Sequence, residues 1–137
     1  MLQGTSSRGN QYVQIDWVDV GYYNQTDAGN TDASNAFSLY IEDDPLGDVV
    51  IFQYYGMEWT TGDTTGTDGL GGLGAQIGFD AGDGTNYVSL ARPNSLEGLS
   101  ELLQVERYQF RIDPSTGTPV VAPFWSDVDT RVDGSGS

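Results

Sequence analysis

Short segments in which apolar and polar residues alternate run through most of this chain, separated by clusters of Gly, Asp, Asn and Thr. Alternation with a period of two is typical of strands that bury one face, and the clusters supply turn residues. The segments that predict strands are residues 12–18, 37–41, 49–55, 76–79, 86–90, 105–112 and 120–125. The pattern predicts an all-β protein, either an antiparallel β-sandwich or a partly closed barrel of about seven to nine strands.

One segment departs from the two-residue alternation. Residues 95–103 carry four leucines at spacings of three and four, preceded by Ser95 as a candidate N-cap. We therefore expect at most one short helix. The length of 137 residues suits one domain, and we expect a single unit over 1–137 in which 1–10 and 132–137 are flexible or form a joint to another unit.

Charge and missing residue types exclude several classes of function. The chain has no lysine, five arginines and twenty acidic residues, for a net charge of −15. Such a surface repels nucleic acids and anionic membranes, and no apolar run approaches the roughly 20 residues needed to cross a bilayer. Histidine and cysteine are also absent, so hydroxyl nucleophiles lack the usual base and thiol chemistry is excluded. We predict that the protein is not an enzyme.

Several motifs agree in type and spacing with one known family. They are WVDVGYY at 17–23, NAF at 35–37, WTTGD at 59–63, GLGG at 69–72, GFDAGDGTNY at 78–87, FRID at 110–113 and PFWSDVDTR at 123–131. Together they resemble the nidogen-like, or NIDO, domain, an extracellular module also found in secreted bacterial proteins. The resemblance implies a secreted or cell-surface location and a structural role in a matrix, adhesin or surface assembly.

The order of these motifs differs from the family in one respect. The PFWSDVDTR-like signature opens the family's domain, whereas here it follows the closing FRID strand. Two interpretations stay open: the domain is circularly permuted, or the last segment pairs with a neighbouring subunit or repeat. Donation of that strand between copies would propagate into a filament, since the contact is heterologous.

Four carboxylates are candidates for a calcium site. Asp127 and Asp129 flank Val128 near a predicted strand end, so their side chains point to one face, and Asp80 and Asp83 lie in the glycine-rich segment. Calcium takes six to eight oxygen ligands, which such groups could share with carbonyls and water. The alternative is structural, with the carboxylates accepting backbone hydrogen bonds or pairing with Arg131 or Arg111.

Aromatic residues supply the predicted structural and interaction positions. These residues, with one arginine, are Trp17, Tyr22, Tyr23, Trp59, Phe124, Trp125 and Arg131. Because each tryptophan lies within one of the family motifs and its ring buries a large area, we expect the tryptophans to pack in the core; the alternative is a platform for sugar rings. Tyr22, Tyr23 and Tyr55 are predicted to be more exposed, and of the adjacent Tyr54 and Tyr55 at least one must leave the core. The expected partners are other extracellular proteins or further copies of this chain, with glycans as an alternative.

Overall fold

The structure of the protein is a computed structural model that describes residues 1–22, 33–62, 69–89 and 107–121. The described chain contains eight strands: β1 (Leu2–Thr5), β2 (Gln11–Val20), β3 (Asn35–Glu42), β4 (Val49–Met57), β5 (Gly78–Asp80), β6 (Tyr87–Ser89), β7 (Arg107–Ile112) and β8 (Pro119–Val121). No described residue lies in a helix, and the segment 95–103 predicted as helical lies outside the described residues. The predicted all-β class is confirmed.

Six of the strands form one antiparallel sheet in the order β1-β2-β3-β4-β7-β8. Strands β5 and β6, which come between β4 and β7 in the chain, form a separate two-stranded sheet. The large sheet is open, with β1 and β8 at its edges, and no described strand joins them. Of the two predicted architectures, the partly closed barrel is therefore wrong.

Strand register divides the side chains of the large sheet between two faces. Trp17 lies opposite Phe37, and Phe37 lies opposite Tyr54, so these rings share what we call the front face. The β5–β6 hairpin covers part of this face, because the Phe79 ring centroid lies 6.0 Å from that of Phe52 and 5.4 Å from that of Phe110. The hairpin therefore covers the front face where β4 and β7 lie.

The opposite, back face holds the aliphatic core. Tyr40, Val49 and Ile51 form a buried cluster there, and Tyr12 stacks on Tyr40 with ring centroids 5.2 Å apart. Val49 and Ile51 have no exposed surface, and Val50, which faces the front, is also buried. The start of β4 is thus covered on both faces, as its continuous run of apolar residues predicts.

A partly buried ionic network joins the β1–β2 turn to the end of β3, to the β3–β4 turn and to β7. The Arg8 guanidinium lies 3.1 Å from a carboxylate oxygen of Glu42 and 2.6 Å from one of Asp44, and Arg111 lies 3.2 Å from Asp44. Burial raises the pKa of Asp44, but hydrogen bonds from the Leu46 amide and Arg111 and the charge of Arg8 lower it more, so the net shift is downward. No pattern in the sequence indicates this network, because its residues are far apart in the chain.

Strand β1 lies in a segment for which the sequence indicated a flexible or joint role and no strand. Leu2–Thr5 pairs with Gln11–Gln14 of β2, and the Arg8 turn between them is held by the ionic network. A four-residue strand with one large apolar side chain gives too little alternation to be recognised. Residues 132–137, the other predicted joint, lie outside the described residues.

Candidate functional site: an aromatic cleft on the front face

A cavity of about 250 Å³ opens on the front face between strands β2–β4 and the segment 75–78. Its aromatic lining consists of Trp17, Phe37, Phe52, Tyr54 and Trp59, and its aliphatic lining includes Leu39, Met57 and Ile77. None of the described residues that line it carries a charge. We call this cavity the aromatic cleft.

Trp17 lies at the mouth of the aromatic cleft. Its ring stacks on Phe37, with centroids 5.1 Å apart and planes inclined by 20°, and 37% of its surface is exposed. The register of β2 shifts between Trp17 and Val20, and Asp19 in this bulge has a φ of 57°. The predicted core position of Trp17 is wrong, because more than a third of its surface is exposed. Among the described residues, the ring contacts of the β5–β6 hairpin are with β4 and β7 and not with this part of β2.

Trp59, on the opposite side of the cleft, is held by hydrogen bonds at its backbone and its indole. The Asn35 side chain accepts hydrogen bonds from the amides of Glu58 and Trp59 at 2.8 and 3.2 Å and donates one to the Trp59 carbonyl at 3.0 Å. The Trp59 indole donates to the Val20 carbonyl at 2.7 Å. Since both its backbone and its ring are fixed, Trp59 forms a rigid, half-buried wall.

Tyr22 packs behind Trp59, with ring centroids 5.9 Å apart, and is 5% exposed. The prediction that Tyr22 is exposed is wrong. The reason is the glycine-rich segment, in which Gly69 approaches so closely that a Cβ atom there would lie 2.7 Å from Trp59 Cβ and 3.1 Å from the Tyr22 ring. The prediction for the pair Tyr54 and Tyr55 is confirmed, because Tyr54 is buried and Tyr55 is 57% exposed.

The wall of the cleft contains one unsatisfied hydroxyl group. Thr60 is 3% exposed, and its Oγ1 atom has no hydrogen-bond partner among the described residues. Burial, followed by the effect of nearby Tyr108, raises the pKa of Tyr54, so the phenol in the lining stays protonated at neutral pH. The aromatic cleft is therefore neutral and largely apolar.

Of the candidate calcium ligands, Asp80 ends β5 and Asp83 lies in the turn that follows, and both are exposed. Asp83 accepts hydrogen bonds from the amides of Asn86 and Thr85 and from the Asn86 side chain, all at 2.8 Å, and these bonds lower its pKa to about 2. Asp80 accepts one from the Gly82 amide at 2.6 Å. Across the described ranges, no three acidic side chains are grouped as a metal site would require. Calcium stays a prediction.

The remaining predicted positions fall outside the described residues. They are Tyr23, Phe124, Trp125, Asp127, Asp129 and Arg131. Arg111, one of two suggested partners for Asp127, bonds within the described part of the chain to Asp44 and, at 2.9 Å, to the Gly47 carbonyl, and its pairing with Asp127 stays a prediction. The aromatic residues of the cleft are evident in the sequence, but the cleft itself is not. It forms only when the tertiary structure brings β2–β4 and the segment 75–78 together.

Comparison with known proteins identifies the family. The profile of the nidogen-like domain matches residues 2–114. The chain belongs to the nidogen-like domain family. This confirms the resemblance drawn from the motifs, and the nidogen-like chain is an extracellular module. The permuted order stays a prediction, because the PFWSDVDTR segment lies outside the matched range.

Among curated proteins, the nidogen-like chain is similar to alpha-tectorin. It is 33% identical to the human protein over 138 residues, which covers 86% of this chain, and 33% identical to the mouse protein over 107 residues, which covers 72%. The chain spans only 6% and 5% of the length of these relatives. No solved structure matches it significantly. The described residues include no helix long and apolar enough to span a membrane.

Proposed function

We propose that this nidogen-like chain is a structural module of an extracellular matrix or adhesion assembly and acts by binding other extracellular proteins. The observation that supports this most directly is the aromatic cleft, with Trp17 partly exposed at its mouth and Trp59 fixed behind it. Partly exposed tryptophans beside a rigid apolar pocket are typical of the few residues that dominate a protein–protein interface. Its action is binding without turnover, since the chain lacks histidine and lysine to activate a nucleophile.

The proposal is tested by measuring binding of the purified chain to a panel of purified matrix proteins by biolayer interferometry. We expect Trp17→Ala to weaken binding at least tenfold, as expected of a hot-spot residue. Tyr55→Ala is the matched control, because Tyr55 is also an exposed aromatic residue but shares the back face with Ser38, to which its hydroxyl bonds at 3.1 Å. Equal losses in both variants, or binding to a glycan array alone, would contradict the proposal.

A second candidate function is self-assembly by strand addition, and the open edge of β1 favours it. No described strand pairs with the outer side of β1, which has no charged residue and no proline to block pairing. An edge of this kind accepts an extended segment from another chain, and residues 122–131, which follow β8 in the chain, are the segment we propose as the donor.

Light scattering across protein concentration tests this second candidate. A mass that grows with concentration, and that Leu2→Lys reduces, is the expected result, because a charge on an edge strand opposes pairing. Leu73→Lys is the control, since Leu73 is similarly exposed but lies outside every strand. A monomer at all concentrations would rule out strand donation between copies.

A further inference from the structure

Strand β2 extends past β1 and leaves part of its own outer edge unpaired. Strand β1 pairs only with Gln11–Gln14, and no described strand pairs with β2 on this side beyond them. The Gln11 carbonyl accepts a hydrogen bond from the Asp43 amide at 2.9 Å on the β3 side. Because backbone groups alternate between the two sides of a strand, the amide and carbonyl of Asp16 point to the open side. We call the outer side of residues 15–18 the β2 edge.

Two adjacent apolar side chains are exposed on the β2 edge. Trp17 lies at the mouth of the aromatic cleft and is 37% exposed, and Val18, which follows it, is 74% exposed. Neighbouring residues of a strand point to opposite faces, so both faces of the sheet are apolar beside this edge. An unpaired edge of this kind accepts an added strand, whose backbone supplies affinity and whose alternate side chains supply specificity. The bulge at Asp19 limits regular pairing to residues 15–18.

The segment that follows β8 has side chains that match this edge. Phe124 and Trp125 are adjacent in the sequence, so in an extended segment one ring points to each face. Pro123, which has no backbone donor, comes directly before them, and a strand tolerates proline at its first residue. Beside β2, such a segment would place one ring against Trp17 and the other against Val18.

Distance decides which copy of the chain supplies these rings. A strand added beside β2 lies in line with β1, and five strand spacings of about 4.8 Å, or about 24 Å in all, separate that line from β8. Four residues lead from Val121, at the end of β8, to Trp125, and they span at most about 14 Å. The chain's own rings therefore fall about 10 Å short of the β2 edge, and a second copy must supply them.

Charge sets the conditions for this contact. Asp16 and Asp19 flank the acceptor residues, and Asp127 and Asp129 follow the two rings of the donor. Like charges on the two sides oppose association, so the contact should strengthen as salt screens them.

We infer that residues 122–131 of a second copy add to the β2 edge as a strand, with Phe124 and Trp125 packing against Trp17 and Val18. This inference rests on the second candidate function, self-assembly by strand addition, and assigns the acceptor to the β2 part of the sheet edge. The donor follows β8, at the opposite edge of the same sheet. Each copy then binds one neighbour at each edge, and the assembly stays open.

The first experiment uses the absence of cysteine from the chain, because introduced cysteines then report the contact alone. Asp16→Cys and Ser126→Cys are made in separate full-length chains, which are mixed at equal concentration and mildly oxidised. We expect a mixed disulfide dimer as the main product. The control mixes Leu46→Cys with Ser126→Cys, since Leu46 is 73% exposed but lies in the β3–β4 turn. It should give about tenfold less mixed dimer, because a disulfide needs Cα atoms within about 7 Å.

The second experiment measures solution mass by light scattering across protein concentration, at low and high salt. Val18→Lys and Trp125→Ala should each raise the concentration at which the mean mass doubles by about tenfold, and added salt should lower it for the unchanged chain. Leu73→Lys is the control for the added charge and should have no effect, because Leu73 is 69% exposed and lies outside every strand. Thermal melts check that the variants fold normally.

Several outcomes would overturn the inference. An internal disulfide in a chain that carries both Asp16→Cys and Ser126→Cys would show that the segment reaches its own β2 edge. Equal yields of mixed dimer with Leu46→Cys would show random collision. If the mass grows and Leu2→Lys reduces it while Val18→Lys does not, the inference fails and self-assembly at β1 stands. If the chain stays monomeric at every concentration and salt level, both fail.

Discussion

Buried polar residues in this domain differ in how fully they are hydrogen-bonded. Asn35 uses both side-chain atoms to hold Glu58 and Trp59, and Glu42 accepts hydrogen bonds from Tyr40 at 2.7 Å and from Arg8 at 3.1 Å. Gln109 is 2% exposed, yet neither of its amide atoms is hydrogen-bonded among the described residues. Asn35 and Glu42 therefore fix the structure around them by hydrogen bonds, whereas the Gln109 amide makes no hydrogen bond to the described residues.

Replacing Gln109 with methionine should therefore leave stability unchanged or raise it by about 1 kcal/mol, because an unsatisfied buried amide is exchanged for an apolar chain of similar shape. Asn35→Ala is the contrasting variant and should cost about 3 kcal/mol, since it leaves buried backbone groups unpaired. Urea unfolding measures both. A loss above about 1 kcal/mol for Gln109→Met would show that its amide is bonded after all.

The ionised Asp83 carboxylate stabilises the folded chain, and this stabilisation is lost at low pH. Its pKa falls from 3.8 to about 2 in the folded chain because the Asn86 and Thr85 amides bond to the ionised form. The contribution is complete above pH 3.8 and is lost as the pH falls towards 2. Carboxyl NMR should report a midpoint near 2, and Asp83→Asn should make the free energy of unfolding less pH-dependent in this window. A midpoint at 3.8 would contradict the turn geometry.

Strands with a clear two-residue period or a continuous apolar run could be predicted from the sequence, and the short strand β1, which has neither, could not. Strand β3, with Phe37, Leu39 and Ile41 in alternation, was located within a few residues, whereas β1 carries too few apolar residues to recognise. The ionic network could not be predicted either, because Arg8 meets Glu42 only after β1, β2 and β3 pair. The cleft has the same origin: its aromatic residues are visible in the sequence, but their convergence depends on register.

The glycine-rich segment before β5 provides a test of how one element shapes the cleft. Gly69 and Gly71 both have positive φ angles, of 80° and 77°, but a Cβ atom at Gly69 would strike Trp59 and one at Gly71 would meet nothing within 4 Å. Gly71→Ala should cost about 1 kcal/mol from backbone strain alone. Gly69→Ala should cost about 2 kcal/mol more and alter Trp59 fluorescence. Chemical unfolding measures both losses. If the two variants lose the same free energy of unfolding, the close approach of Gly69 to Trp59 does not matter for stability.

The molecule as a whole combines an open sheet with a large excess of negative charge. The chain has five arginines and twenty acidic residues, and two of the arginines, Arg8 and Arg111, form ion pairs with Asp44. Those ion pairs stabilise the fold locally but leave the surface strongly negative. Repulsion across that surface opposes compaction and keeps copies apart, so the solution conditions should affect both stability and self-association.

Salt should therefore stabilise this domain. Between about 0.01 and 1 M NaCl the screening length falls from about 30 to about 3 Å, and we expect the Tm to rise by several degrees as repulsion weakens. Calcium and magnesium at matched ionic strength separate screening from binding in the same thermal melts. Equal increases with both cations mean screening alone. A larger increase with calcium indicates a specific site, and its loss in Asp129→Asn, but not in Asp83→Asn, would assign that site to the PFWSDVDTR segment instead of to the β5–β6 turn.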